Sequence, residues 1–141
     1  MRNAAKALLV KEGAILLIKH KTDRVYYTLP GGGQKPMETM EECLLRECLE
    51  ETGYRVELGD LAFVYEFLGK LKGQAFHQMD LVFHCHLKDH VGPAEEQDDS
   101  QIGHEWVNLR DLDQVDLVPN TFKEKIMSDQ GLCDYRVYKE D

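Results

Sequence analysis

The chain has 141 residues, 43% of them hydrophobic, and a formal net charge of −9 at pH 7. Its length falls in the usual range of one domain, ~100–150 residues, so a single domain over 1–141 with one core is expected, and the apolar fraction excludes a disordered tail protein. No apolar run approaches the ~18 residues of a membrane span, and the acidic balance removes the counterion-release term that binding of long nucleic acids rests on. Neither a membrane nor a long nucleic acid is therefore expected as a partner, whereas a small polyphosphate is allowed because a bound cation inverts local charge. The N-terminus, MRNAAKALLVKEG, lacks a signal-peptide layout, which makes a cytoplasmic chain the expectation. Cys43, Cys48, Cys85 and Cys133 form no CxxC pair and sit in apolar patterns, so they read as reduced, buried thiols.

Residues 4–10 and 14–20 are apolar runs of strand length joined at Lys11-Glu12-Gly13, the pattern of a hairpin. Lys19, His20, Lys21 and Arg24 form a basic cluster ahead of a short strand, Tyr26 to Leu29, that Pro30 stops. A glycine-rich turn, Gly31-Gly32-Gly33, precedes a helix expected to begin at Glu38 or Thr39 and to stop at Gly53. Strands are expected at 54–58 and 61–68, around Gly59-Asp60, and again at 75–87 after a turn near 69–73. In the last of these, Met79, Leu81, Phe83, Cys85 and Leu87 alternate with Gln78, Asp80, Val82, His84 and His86. The polar segment 88–103 reads as the longest loop, and 104–109 as a final sheet strand. A short helical turn is expected at 109–114, a helix from Pro119 to Gln130, and an edge strand in the tail, with Leu117, Phe122 and Ile126 as core candidates. Mixed strands with one early and one late helix indicate an α+β fold.

The early helix carries the chemistry. At ~100° per residue, Glu47, Glu50 and Glu51 fall within one arc of roughly 100°, with Leu44, Leu45, Cys48 and Leu49 on the apolar side. Three carboxylates in one turn repel each other and lie at the negative end of the helix dipole, where Lys or Arg is usual. Three oxygen ligands on one face suit a hard divalent cation such as Mg²⁺, held together with substrate phosphates. The alternative is a solvated acidic face.

The full spacing decides between them. Gly32, five residues, Glu38, seven residues, then Arg46-Glu47-Cys48-Leu49-Glu50-Glu51-Thr52-Gly53-Tyr54 resembles the Nudix box of the MutT-like Nudix hydrolases, here spanning 32–54. Every fixed polar and glycine position is filled, while Cys48 and Tyr54 stand at positions where an aliphatic residue is usual. The resemblance implies a Nudix fold, an α/β/α sandwich with a central mixed sheet. It implies Mg²⁺-dependent hydrolysis, with Mn²⁺ as an alternative metal, of a nucleoside diphosphate linked to another group X: a nucleoside triphosphate, a nucleotide sugar or an ADP-ribose-type substrate.

The same resemblance implies roles for individual residues. Glu50 and Glu51 match the principal metal-binding carboxylates, and Glu47 matches a carboxylate that completes the metal site or acts as base. The Gly31 carbonyl is an implied extra ligand. Arg46 holds the carboxylates in register, Glu38 supports the loop–helix junction, and Gly32 lets the substrate approach the backbone. An acid in the loop before the last strand often serves as base or further ligand, and Asp99 is the first candidate here, ahead of Glu95, Glu96, Asp98 and Glu105. Lys19 and Arg24 are candidate phosphate contacts, and His84 lies on the polar side of its strand, facing a cleft. A catalytically silent nucleotide sensor with the same fold is the competing reading, weakened by the intact Glu47, Glu50 and Glu51. Nudix proteins often pair, so a homodimer is allowed, although no residue marks an interface.

Overall fold

The computed structural model describes residues 1–95, 100–128 and 134–140. Cys133, Gly131 and the acids Glu96, Asp98 and Asp99 lie outside the described residues. β1 (Arg2–Lys11) and β2 (Ala14–Lys21) form the expected hairpin. Its turn residues Glu12 and Gly13 have φ of 51° and 77°, the mirror-image turn that matches the twist of paired strands. β3 (Val25–Thr28) continues the sheet from β2.

Gly31–Gly33, expected as a turn, is instead a short strand, β4, paired antiparallel with β1 so that Gly32 faces Ala5 and Gly31 faces Lys6. The reason is steric: a Cβ on Gly31 would lie 2.0 Å from the Ala5 carbonyl oxygen, so only glycine allows this approach. α1 (Met40–Thr52) follows. Thr39 is its N-cap, in a reciprocal capping box with Glu42, and Gly53 ends it in the left-handed conformation.

β5 (Tyr54–Leu71) is one long strand where two were expected. Its pairing with β6 (Gln74–His90) shifts register between Leu58 and Leu61, so the Gly59-Asp60 break is absorbed as an irregularity within the strand. β7 (Gln101–Asn108) begins three residues earlier than the 104–109 expectation, inside the segment read as loop; it pairs with β2 and leads into the expected 3₁₀ turn, Leu109–Gln114. α2 (Phe122–Met127) is shorter than the 119–130 expectation, and Pro119 lies ahead of it rather than in its first turn. The tail strand β8 (Asp134–Lys139) adds to the edge, parallel to β5.

The sheet runs β3-β2-β1-β6-β5-β8, with β4 joined to β1 and β7 to β2, and it is mixed because β1 lies parallel to β6. One face packs beneath α1, where Cys43, Leu44 and Cys48 meet Ala5, Ala7, Leu9, Leu16, Val56 and Cys85. Alanines at 5 and 7, both fully buried, let the helix settle close to the central strand. The other face is covered by the 3₁₀ turn and α2, with Leu112 and Phe122 against Leu8, Ile15, Leu17, Phe63, Tyr65 and Val82. This is the helix–sheet–helix arrangement expected, and Leu117 and Phe122 are buried core residues as anticipated.

Two expectations about faces change. Leu49, placed on the apolar side of α1, is 41% exposed, while Glu51 is buried with Cys43, Leu44, Cys48 and Thr52. β6 buries residues on both faces, Val82 and Asp80 on the side read as polar and Cys85 on the other, because the sheet is covered on both sides. The three described cysteines are buried and free. Among the described residues, no helix is long and apolar enough to cross a membrane.

Candidate active site

The acidic face of α1 is not solvated. It lies against β4, and its charges are organised by Arg46. The guanidinium grips Glu38 through two bonds, Nε to Oε2 at 2.7 Å and Nη2 to Oε1 at 3.0 Å. It also donates to Glu47 Oε1 at 2.9 Å, to Glu50 Oε2 at 3.3 Å and to the Gly33 carbonyl at 3.2 Å. One cation thus links the box helix, the segment before it and the glycine strand, a geometry that suits the planar fork of arginine and not the point charge of lysine. The pairing raises the Arg46 pKa above its ordinary value, chiefly through Glu38. Arg46, helped by the Lys35 backbone N–H, holds the Glu38 carboxyl down at about 2.

Glu51 sits deeper, at 7% exposure. Its Oε1 accepts from the Gly31 backbone N–H at 2.8 Å and its Oε2 from the Gln101 side-chain amide at 2.9 Å. Burial pushes its pKa up to about 7 against those two bonds and the nearby Lys6 charge, with the Glu47 carboxylate adding to the rise. The glycine strand closes against the acids: a Cβ on Gly32 would stand 2.6 Å from the Glu47 carboxyl carbon. Cys43 donates its thiol to the Gly32 carbonyl at 3.3 Å, tying α1 to β4.

The donor set fits a divalent cation on two observations. A buried carboxylate beside another, with its proton affinity raised by desolvation, gains most from a positive charge placed next to it. At Gly32 the missing side chain leaves the Glu47 carboxylate uncovered at the point where any larger residue would fill the space. Among the described residues, no three His, Cys, Asp or Glu side chains already converge on one ion. Glu47 and Glu50 are turned toward Arg46 instead.

The structure brings together Gly31, Gly32, Glu38, Arg46, Glu47, Glu50 and Glu51. Lys19 is half-buried on β2, opposite Tyr27 and Gly103. The Arg24 guanidinium is paired with Asp116 and lies 5.3 Å above the Tyr26 ring. His84 is exposed and alternates with Val82, on the sheet face away from α1. Asp99 lies outside the described residues, while Glu95 is held to the helix end by its backbone N–H to the Glu50 carbonyl, 2.6 Å. Trp106 is half-buried, packs on the α1 side and donates its indole N–H to the Tyr54 hydroxyl at 3.2 Å.

Two residues at this site escaped the sequence reading. Gln101 sits in a polar segment that looked like loop, fifty residues from the carboxylate it holds. Lys6 sits within an apolar strand run. Neither belongs to a local motif, and only the pairing of β2 with β7 and of β1 with β4 brings them in.

The NUDIX domain family model matches residues 1–129. The chain is 32% identical over 131 residues to the nucleoside triphosphatase NudI of Enterobacter sp. (strain 638), a match spanning 84% of this chain and 92% of that protein. It is 39% identical over 64 residues to an ADP-ribose pyrophosphatase of Methanocaldococcus jannaschii, covering 44% of this chain and 38% of that one. Among solved structures, the MutT Nudix hydrolase of Burkholderia pseudomallei superposes with a TM-score of 0.72 at 26% identity, over 90% of this chain and 98% of that chain. With its box intact and this fold around it, the chain belongs to the Nudix hydrolase family.

Proposed function

We propose that this hydrolase is a Mg²⁺-dependent pyrophosphohydrolase, with Mn²⁺ as an alternative metal, that cleaves a nucleoside diphosphate linked to a group X by attack of water at phosphorus. The observation that carries the reading is Glu51: a buried carboxylate fixed by one donor on each oxygen, with Glu47 nearby and the side-chain-free Gly32 against Glu47. Glu50, Glu51, Glu47 and the Gly31 carbonyl would hold the cation, whose charge would neutralise the pyrophosphate. The near-full-length likeness to a nucleoside triphosphatase supports nucleoside triphosphates as the first class to test, ahead of nucleotide sugars and ADP-ribose.

Each residue of the site then has a task. Glu47, half-buried and held by one Arg46 bond, would take the proton of the attacking water, with Asp99 as the alternative base. Arg46 keeps the acids in register, and Glu38 anchors Arg46. Gly32 would admit the substrate phosphates beside Glu47, where a side chain would obstruct them, while Gly31 holds β4 close to β1. Lys19, which pairs with Gly103 of β7, is a candidate phosphate contact, with Arg24, Gly32 and His84 as further substrate contacts.

The test is product release from a panel of nucleoside triphosphates, ADP-ribose, sugar nucleotides and a dinucleoside polyphosphate with Mg²⁺, run beside Glu51→Gln. Turnover of one class that the substitution abolishes identifies X. Binding of a nucleotide without turnover under Mg²⁺ or Mn²⁺ overturns the reading in favour of a sensor.

A further inference from the structure

Gln101 is placed by a specific device in the backbone. The β2–β7 ladder pairs Lys19 with Gly103 and then His20 with Gln101, so Ile102 is an extra residue and the strand bulges there. Ile102 is 53% exposed, pushed out of the ladder, and Gly103 takes a φ of 147°, which side-chain-bearing residues rarely adopt. A bulge reverses which way the next side chain points, and bulges next to active sites commonly re-aim one residue. Here the re-aimed residue is Gln101, whose amide meets Glu51 at 2.9 Å.

A second contact secures the same point. Ser100 is clamped to β2 by its carbonyl, which accepts from the Lys21 N–H at 2.8 Å, and by its hydroxyl, 2.9 Å from His20 Nδ1. His20 is itself buried, with Nε2 on Thr28 Oγ1 at 2.8 Å and its ring stacked on Tyr26 at 4.7 Å. The start of β7 is thus fixed in both backbone and side chain. The backbone from which the Gln101 side chain leaves is held in place beside the carboxylate.

We propose that Gln101 is the positioning residue for Glu51: the bulge at Ile102 and the Ser100–His20 clamp aim its amide so that the carboxylate is held at one oxygen by Gln101 and at the other by the Gly31 N–H. Each oxygen keeps a lone pair for a cation, and the carboxylate plane is set before the cation arrives. The proposal rests on the metal-dependent reading above and deepens it by naming a residue outside the box that prepares the box.

The experiment measures Mn²⁺ binding to the metal-free protein by electron paramagnetic resonance of the free ion, together with kcat, KM and Tm, for wild type, Glu51→Gln and Gln101→Met. Gln101→Met keeps the length and removes the donor. Loss of a partner that orients a ligand costs about 10–100-fold in metal affinity, so Gln101→Met is expected to weaken Mn²⁺ binding by about tenfold or more and to lower kcat rather than raise KM. A folded Gln101→Met protein that binds Mn²⁺ within about twofold of wild type overturns the proposal. If wild type binds no Mn²⁺, the metal-dependent reading itself fails, and this proposal with it. Should Gln101→Met fail to fold, Ser100→Ala decides: the loosened clamp should weaken Mn²⁺ binding by about threefold, and unchanged binding overturns the proposal.

Discussion

Arg46 binds Glu38 through two hydrogen bonds, at 2.7 and 3.0 Å, joining the middle of α1 to the residue just before its N-cap. The pair sits at the junction of helix and glycine strand, since the same guanidinium reaches the Gly33 carbonyl. It gives the box a frame that does not depend on any bound ion.

That frame has an acid limit. The Glu38 carboxyl is held at about 2, mainly by Arg46, so its folded pKa lies below the unfolded value near 4.5. A group with a depressed folded pKa contributes stability above the unfolded pKa and loses it as pH falls through the folded one. The midpoint of urea unfolding should therefore decline from about pH 5 down to about pH 2. In Glu38→Gln the decline over this window should be shallower, and the starting midpoint lower. An identical pH slope in the two proteins would remove Glu38 from the account.

Glu51 runs the opposite way. Burial raises its folded pKa to about 7, above the unfolded value near 4.5, so the metal-free fold favours the protonated acid. Its contribution is fully present below the unfolded pKa and is lost as pH rises through about 7. Thermal melts of the metal-free protein should thus show Tm falling between pH 5 and pH 8. Glu51→Gln, which stays neutral, should match or exceed wild type at pH 8. Adding Mg²⁺ should raise the wild-type Tm at pH 8 and leave Glu51→Gln unmoved. A Tm for wild type that is insensitive to both pH and Mg²⁺ would contradict the buried-carboxylate argument.

Neighbouring glycines should fail for different reasons. An added Cβ at Gly31 meets backbone, 2.0 Å from the Ala5 oxygen, and backbone cannot yield, so Gly31→Ala should express poorly or lose β1–β4 pairing. At Gly32 the Cβ meets only the tip of Glu47, 2.6 Å from its carboxyl carbon, and a flexible side chain can swing aside. Gly32→Ala should keep its Tm within about 5 °C of wild type while losing most of its turnover. Circular dichroism melts beside the product-release assay separate the two.

The two leucines of α1 offer a stability contrast. Leu44 is fully buried against β1, whereas Leu49 is 41% exposed. Leu44→Ala should cost about 2–5 kcal/mol and Leu49→Ala under about 1 kcal/mol in denaturant unfolding. Equal losses would mean that α1 is seated differently on the sheet.

Much of this protein was legible along the chain because the signals are local. The hairpin at Glu12-Gly13, the capping of α1 by Thr39 and Gly53, and the spacing from Gly32 to Tyr54 each depend on residues close in sequence. The box and its family follow from such spacing, since a helix fixes which side chains share a face. Even so, the helical wheel misjudged Leu49 and Glu51, because burial depends on where the sheet lies and not on the helix alone.

What only the tertiary structure decided is how the charges are held. Gly31 to Gly33 became a strand because β1 offers an edge to pair with, and that pairing turns the Gly31 N–H toward Glu51. Gln101 entered the site through a bulge in a ladder whose partner strand lies about eighty residues earlier in the chain. Local sequence determines helices, turns and the order of acids along one face. The contacts that desolvate one of those acids and hold its two oxygens come from strands far apart in sequence, whose register is settled only when the whole sheet packs.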